Sequence, residues 1–154
     1  MPDTTAVKPI TKPPYLYLGF LAAGIVLHFI MPLRIFGRFW IGLGAGLPLV
    51  IAGVLLIIWA VRTLAASHVD PRFKPVGNIV SGGPYGYTRN PMYLAFTLIY
   101  AGIALAVNSF LPFLFLPILL VLMYYGVIRR EERYLEERFG DEYRSYRRRT
   151  RRWL

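Results

Sequence analysis

Apolar residues fall in four long runs, at 15–31, 40–61, 91–107 and 110–128, separated by polar breaks. A helix needs about 20 such residues to cross the hydrocarbon core of a bilayer, so the first and third runs sit at the short end of the range. The pattern predicts an all-α, polytopic membrane protein with about four transmembrane helices, a long cytoplasmic loop and a cytoplasmic C-terminal helical tail. Residues 1–154 form one domain. Asn108-Ser109 leaves almost no loop between the last two runs, which predicts a tight antiparallel hairpin. The break at 63–90 is punctuated by Asp70-Pro71, Lys74-Pro75, Gly77, Gly82, Gly83-Pro84 and Gly86. Loops of this length in a compact domain are functional or disordered. Ile79-Val80, Tyr85 and Tyr87 argue for order. Gly140 stops the last long helix, and Asp141 is placed to cap a short one after it. Tyr143, Tyr146 and Trp153 among the tail arginines predict a helix lying at the interface.

Charge changes the picture once it is located. The net charge is +10, and ten of the eighteen basic residues follow position 128. A basic segment flanking a membrane helix meets anionic lipid head groups rather than nucleic acid. Placing the N-terminus inside puts sixteen basic residues on the cytoplasmic side and two, Arg34 and Arg38, outside. Both termini are therefore expected in the cytoplasm. No signal peptide is evident, and the first span is taken as retained. There is no cysteine, which excludes disulfides, thiolate catalysis and Cys-based zinc sites. With only His28 and His68, no metal site is expected.

Two segments on the cytoplasmic side carry candidate chemistry. One is Gly82-Gly83-Pro84-Tyr85-Gly86-Tyr87-Thr88-Arg89-Asn90-Pro91-Met92-Tyr93, a glycine-rich loop entering a helix; the other is Arg129-Arg130-Glu131-Glu132 at the end of the next span. At about 100° per residue, Glu131 and Glu132 flank the apolar stripe through Tyr124, Ile128, Leu135 and Phe139. Two carboxylates there want a cation, either an arginine of the chain or a ligand. Asn90-Pro91 suits a helix start on structural grounds alone. The same start offers free N–H groups to a carboxylate. The glycines allow backbone to approach a ligand, and Tyr85, Tyr87 and Tyr93 offer faces to a ring or a cation. A carboxylate site, an ammonium site and a ring surface fit S-adenosylmethionine; a nucleotide or a phospholipid head group also suits them.

These segments resemble the isoprenylcysteine carboxyl methyltransferase family and, more distantly, membrane phospholipid methyltransferases. The resemblance rests on Ile79-Val80, Gly83-Pro84-Tyr85, Arg89-Asn90-Pro91-Met92-Tyr93, Glu131-Glu132 and Phe139-Gly140-Asp141-Glu142-Tyr143, and spans residues 68–147. It implies methyl transfer from S-adenosylmethionine at the cytoplasmic membrane face to a lipophilic or lipidated acceptor. By this resemblance Asn78, Ile79, Val80, Gly83, Tyr85, Asn90, Pro91, Met92, Tyr93, Glu131 and Glu132 bind the cofactor. Arg89, Asn90 and Glu131 position the reactants. Arg129 or Arg130 stands in for a substrate-binding arginine that the family places near Val127. The family's His in R-H-P is Asn90 here, which keeps hydrogen bonding but cannot carry charge. A carboxylate acceptor needs no general base, whereas an amine or thiol does, and none is obvious. The resemblance leaves other readings open: a phospholipid amine or thiol methyltransferase, an NADPH-dependent membrane reductase, or a non-catalytic lipid-binding membrane protein.

Overall fold

The computed structural model describes residues 13–67 and 79–153. Among these, the chain is helical, with one isolated bridge between Thr88 and Arg151. The helices are α1 (Pro13–Ile30), α2 (Phe39–Ala66), α3 (Pro91–Ala106), α4 (Leu111–Met123), α5 (Arg129–Phe139) and α6 (Asp141–Arg149). A π-helical segment, Tyr124–Ile128, joins α4 to α5 without a break, giving one 29-residue helix. Among the described residues, three helices are long and apolar enough to cross a membrane: α1, α2 and the α4–α5 helix. The expected fourth span, α3, is apolar but only 16 residues long. At 1.5 Å per residue that is about 24 Å, short of a full hydrocarbon core. Proline opens both α3 and α4 at positions where a missing N–H costs nothing.

Across the bundle the order is α2, α3, α1, α4. The most extensive packing is α2 on α3, followed by α1 on α4, while α3 and α4 touch little. The expected tight hairpin is thus antiparallel but splayed, with α1 packed on both of its arms. Small residues explain the α2–α3 contact. Gly42, Gly46 and Gly53 of α2 are buried, and a Cβ on Gly46 would collide with the Gly102 carbonyl of α3. Gly44, by contrast, faces open space. Gly24 does for α1 what Gly46 does for α2, since a Cβ there would lie 2.8 Å from Pro112 of α4.

Asn108 ties the far end together. It adopts φ 57°, a left-handed conformation that Asn tolerates better than most residues. Its Oδ1 accepts from the backbone N–H groups of Ile35 (3.1 Å) and Phe36 (2.8 Å), and its Nδ2 donates to the Phe36 carbonyl (2.8 Å). The α1–α2 and α3–α4 turns are thereby fixed side by side. The core runs through Tyr17, Leu21, Tyr93, Tyr100, Leu119, Met123, Val127 and Ile128, with Trp153 packed against it. Trp153 is thus not the exposed interface anchor its position suggests, whereas Trp40 is well exposed. Phe29, Ile30, Leu55 and Ile118 are among the large apolar side chains left on the outside, as a lipid-facing surface requires.

Candidate active site

The loop before α3 is built around Gly83. Its φ of +54° suits glycine, and a Cβ there would lie 2.5 Å from Thr63 Oγ1 on α2. The backbone then makes a short 3₁₀ turn, Gly83–Gly86, closed by Tyr85 N–H donating to the Gly82 carbonyl (3.1 Å). Pro84 is buried, while Gly82 faces open space. From Thr88 the loop is held by the far end of the chain. The Arg89 N–H donates to the Arg151 carbonyl (2.9 Å). Thr88 Oγ1 and Asn90 Nδ2 both donate to the Arg152 carbonyl, each at 3.0 Å. Asn90 precedes α3 but its side chain caps no helix N–H; the amide is spent on the tail.

The two glutamates meet different partners. Tyr93 Oη, on the first turn of α3, donates to Glu131 Oε1 at 2.7 Å. Tyr93 itself is buried, its carbonyl accepting from Tyr17 Oη (3.3 Å). Glu132 is clamped by arginines. Arg152 Nε and Nη2 donate to its two oxygens at 2.9 and 2.7 Å. Arg89 Nη1 lies 3.2 Å from Glu132 Oε1, an ion pair without hydrogen-bond alignment. Arg89 Nε is buried with no partner among the described residues. Arg152 also donates from Nη1 to Tyr124 Oη (3.2 Å) and lies 5.0 Å over the Tyr124 ring. The hydrogen bonds to Glu132 hold the Arg152 guanidinium above its ordinary pKa.

The tail aromatics turn inward. Gly140, at φ +52°, ends α5 and lets α6 fold back. Tyr143 and Tyr146 of α6 are buried, not spread along an interface. Tyr146 Oη donates to the Tyr85 carbonyl at 2.7 Å, which fixes the 3₁₀ turn. Burial pushes the Tyr85, Tyr143 and Tyr146 phenols up, so all three stay neutral donors. For Tyr143 the Glu132 charge adds to this effect and Arg89 opposes it.

The residues singled out from sequence are placed as follows. Gly83, Tyr85, Arg89, Asn90, Pro91, Tyr93, Glu131 and Glu132 gather where the loop, the start of α3 and the start of α5 meet. Ile79, Val80 and Met92 are half-buried in the same loop and first turn. Asn78 lies outside the described residues, as do Asp70-Pro71, Lys74-Pro75 and Gly77. Arg129 and Arg130 are exposed, with Arg129 lying 5.6 Å over the Tyr125 ring. Sequence reasoning missed Arg152, Thr88 and the role of Tyr124. Arg152 is one arginine in a run of them, and nothing in the local pattern separates it from its neighbours.

Chemically, this is a partly buried carboxylate that accepts from a phenol, beside an arginine with an unused buried donor. An ammonium satisfies the first and a carboxylate the second. The amino-acid portion of S-adenosylmethionine carries both, so the residues present fit it. The opposite end of the bundle holds a separate cavity of about 280 Å³, lined by His28, Arg34, Gly37, Phe39, Val107 and Asn108.

The chain is 43% identical over 63 residues to an uncharacterized protein of Haemophilus influenzae, covering 41% of this chain and all of that one. It is 30% identical over 129 residues to the cobalt-zinc-cadmium resistance protein CzcN of Cupriavidus metallidurans. That match covers 82% of this chain but only 58% of the relative. No solved structure matches the chain significantly. The family model for phospholipid methyltransferases matches residues 41–142, from α2 through the start of α6. The chain belongs to the phospholipid methyltransferase family.

Proposed function

We propose that this protein is an integral membrane methyltransferase that uses S-adenosylmethionine and a lipophilic acceptor, with the carboxylate of an isoprenylcysteine-like or other isoprenoid molecule favoured. The observation that carries the reading is the Tyr93–Glu131 pair (2.7 Å) together with the unpartnered buried Nε of Arg89, whose Nη1 contacts the neighbouring Glu132. When bound, S-adenosylmethionine supplies an electrophilic methyl group. Glu131 holds the ligand ammonium, and Tyr93 fixes the carboxylate that does so. Arg89 takes the ligand carboxylate. Tyr85, tied to α6 through Tyr146, walls the ring side. The protein's contribution is positioning and exclusion of water. A carboxylate acceptor arrives ionised and needs no base from the protein. The acceptor's apolar part enters from lipid along α3 and α4, which touch little.

Both termini and this site face the cytoplasm, by the distribution of lysine and arginine. On this reading α3 crosses as a fourth, short span. The turns at its two ends support that, because the Asn108 turn lies with the α1–α2 turn and the Asn90 start lies with α5. The basic tail then faces anionic lipid head groups. A second acceptor class, the amine of a phospholipid, is favoured by the family description itself.

The test is isothermal titration of S-adenosylhomocysteine into the detergent-purified protein. Micromolar binding is expected for the wild type, and Glu131→Ala should abolish it. Equal binding by the folded variant sinks the assignment. Screening isoprenoid acids against phosphatidylethanolamine then separates the two acceptor classes.

A further inference from the structure

Residues 150–153 form a strap across the candidate site. Thr150 is buried at the end of α6, and the backbone of Arg151 pairs with Thr88 and Arg89. The Arg152 carbonyl takes two side-chain donors, Thr88 Oγ1 and Asn90 Nδ2. Trp153 packs against the core. One residue, Arg152, thus touches the loop, the π segment and α5.

Its guanidinium has a particular consequence. With Nε and Nη2 it occupies both oxygens of Glu132, at 2.9 and 2.7 Å. Arg89, packed against the same carboxylate, is left a glancing contact of 3.2 Å. A planar fork on both oxygens of a carboxylate leaves a second arginine only the outward lone pairs, where it cannot form a fork of its own. Arg89 therefore keeps a buried donor, Nε, without a partner among the described residues.

We propose that Arg152 is a positioning residue: by taking both oxygens of Glu132 it holds Arg89 to a single contact there and keeps Arg89 Nε free for the carboxylate of the bound amino-acid ligand. The inference rests on the reading of the site given above. Arg152 touches no reactant itself. Without it, Arg89 turns fully onto Glu132 and its Nε is lost to the ligand. Glu131 and its ammonium partner are left in place.

Two probes separate this role from a merely structural one. S-adenosylhomocysteine carries the amino-acid carboxylate; 5′-methylthioadenosine lacks it together with the ammonium, so a loss confined to the former locates the effect at the amino-acid end. Arg152→Gln should weaken binding of S-adenosylhomocysteine by about tenfold, the equivalent of one hydrogen bond between charged groups. Binding of 5′-methylthioadenosine should stay within twofold, judged roughly by the same scale. Arg152→Lys, which keeps the charge but not the fork, should recover part of the loss. Equal weakening of both probes, or no weakening of either, overturns the proposal. Should Arg152→Gln fail to fold, Arg152→Lys carries the test and should show the same selective loss to a smaller degree. Absence of S-adenosylhomocysteine binding in the wild type would instead overturn the reading of the site.

Discussion

Glu131 and Glu132 are neighbours in sequence, yet one accepts from a phenol and the other is held by two arginines. Helical spacing put both beside the apolar stripe but could not say which would be neutralised. The deciding groups come from positions 89, 93 and 152, and no local pattern links them. The Tyr93 hydroxyl is a donor to a charged group, worth about 1.5–3 kcal/mol where it is shielded. Tyr93→Phe should therefore lower the stability of the ligand-free protein by about 2 kcal/mol, read from thermal unfolding in detergent. Saturating S-adenosylhomocysteine should narrow that gap, because its ammonium replaces the lost donor. An unchanged gap would mean that no ammonium reaches Glu131. Gly83 was legible as a turn glycine, but the reason for it was not. Its positive φ and its contact with Thr63 are both tertiary facts.

Among the elements, the apolar runs gave good helix positions, since a bilayer demands length and apolarity that a sequence displays directly. The exceptions have physical causes. The π segment at Tyr124–Ile128 adds a residue to one turn, so the stripe drawn through Tyr124 at a constant 100° does not hold across it. The α2–α3 contact depends on which glycines face the partner. Gly46→Ala should cost about 1–3 kcal/mol by forcing the helices apart, whereas Gly44→Ala should leave the unfolding midpoint unchanged. Asn108 was read only as a short turn. With three side-chain hydrogen bonds joining two turns, Asn108→Ala should destabilise by roughly 3 kcal/mol. The same unfolding measurement checks all of these variants.

At the scale of the whole molecule, the proposed topology rests on the distribution of lysine and arginine, and the absence of cysteine makes it simple to test. A single cysteine at exposed Gly37 should react with an impermeant maleimide from outside intact cells of the expression host. One at Arg148 should react only in inverted vesicles. The reverse pattern would place the site outside. What the sequence determined by itself was one-dimensional: the apolar runs, the Asn90-Pro91 helix start, the Gly140 stop and the basic tail. Each of these depends on a residue and its near neighbours, so it is visible without a fold. The tertiary structure decided the rest. It interleaved α1 with the α3–α4 arms, buried the tail tyrosines, and brought Arg152 back 62 positions in sequence to meet Asn90. Those contacts depend on how helices pack and where the chain returns. An arginine that closes the site therefore looks, in sequence, like every other arginine in the tail.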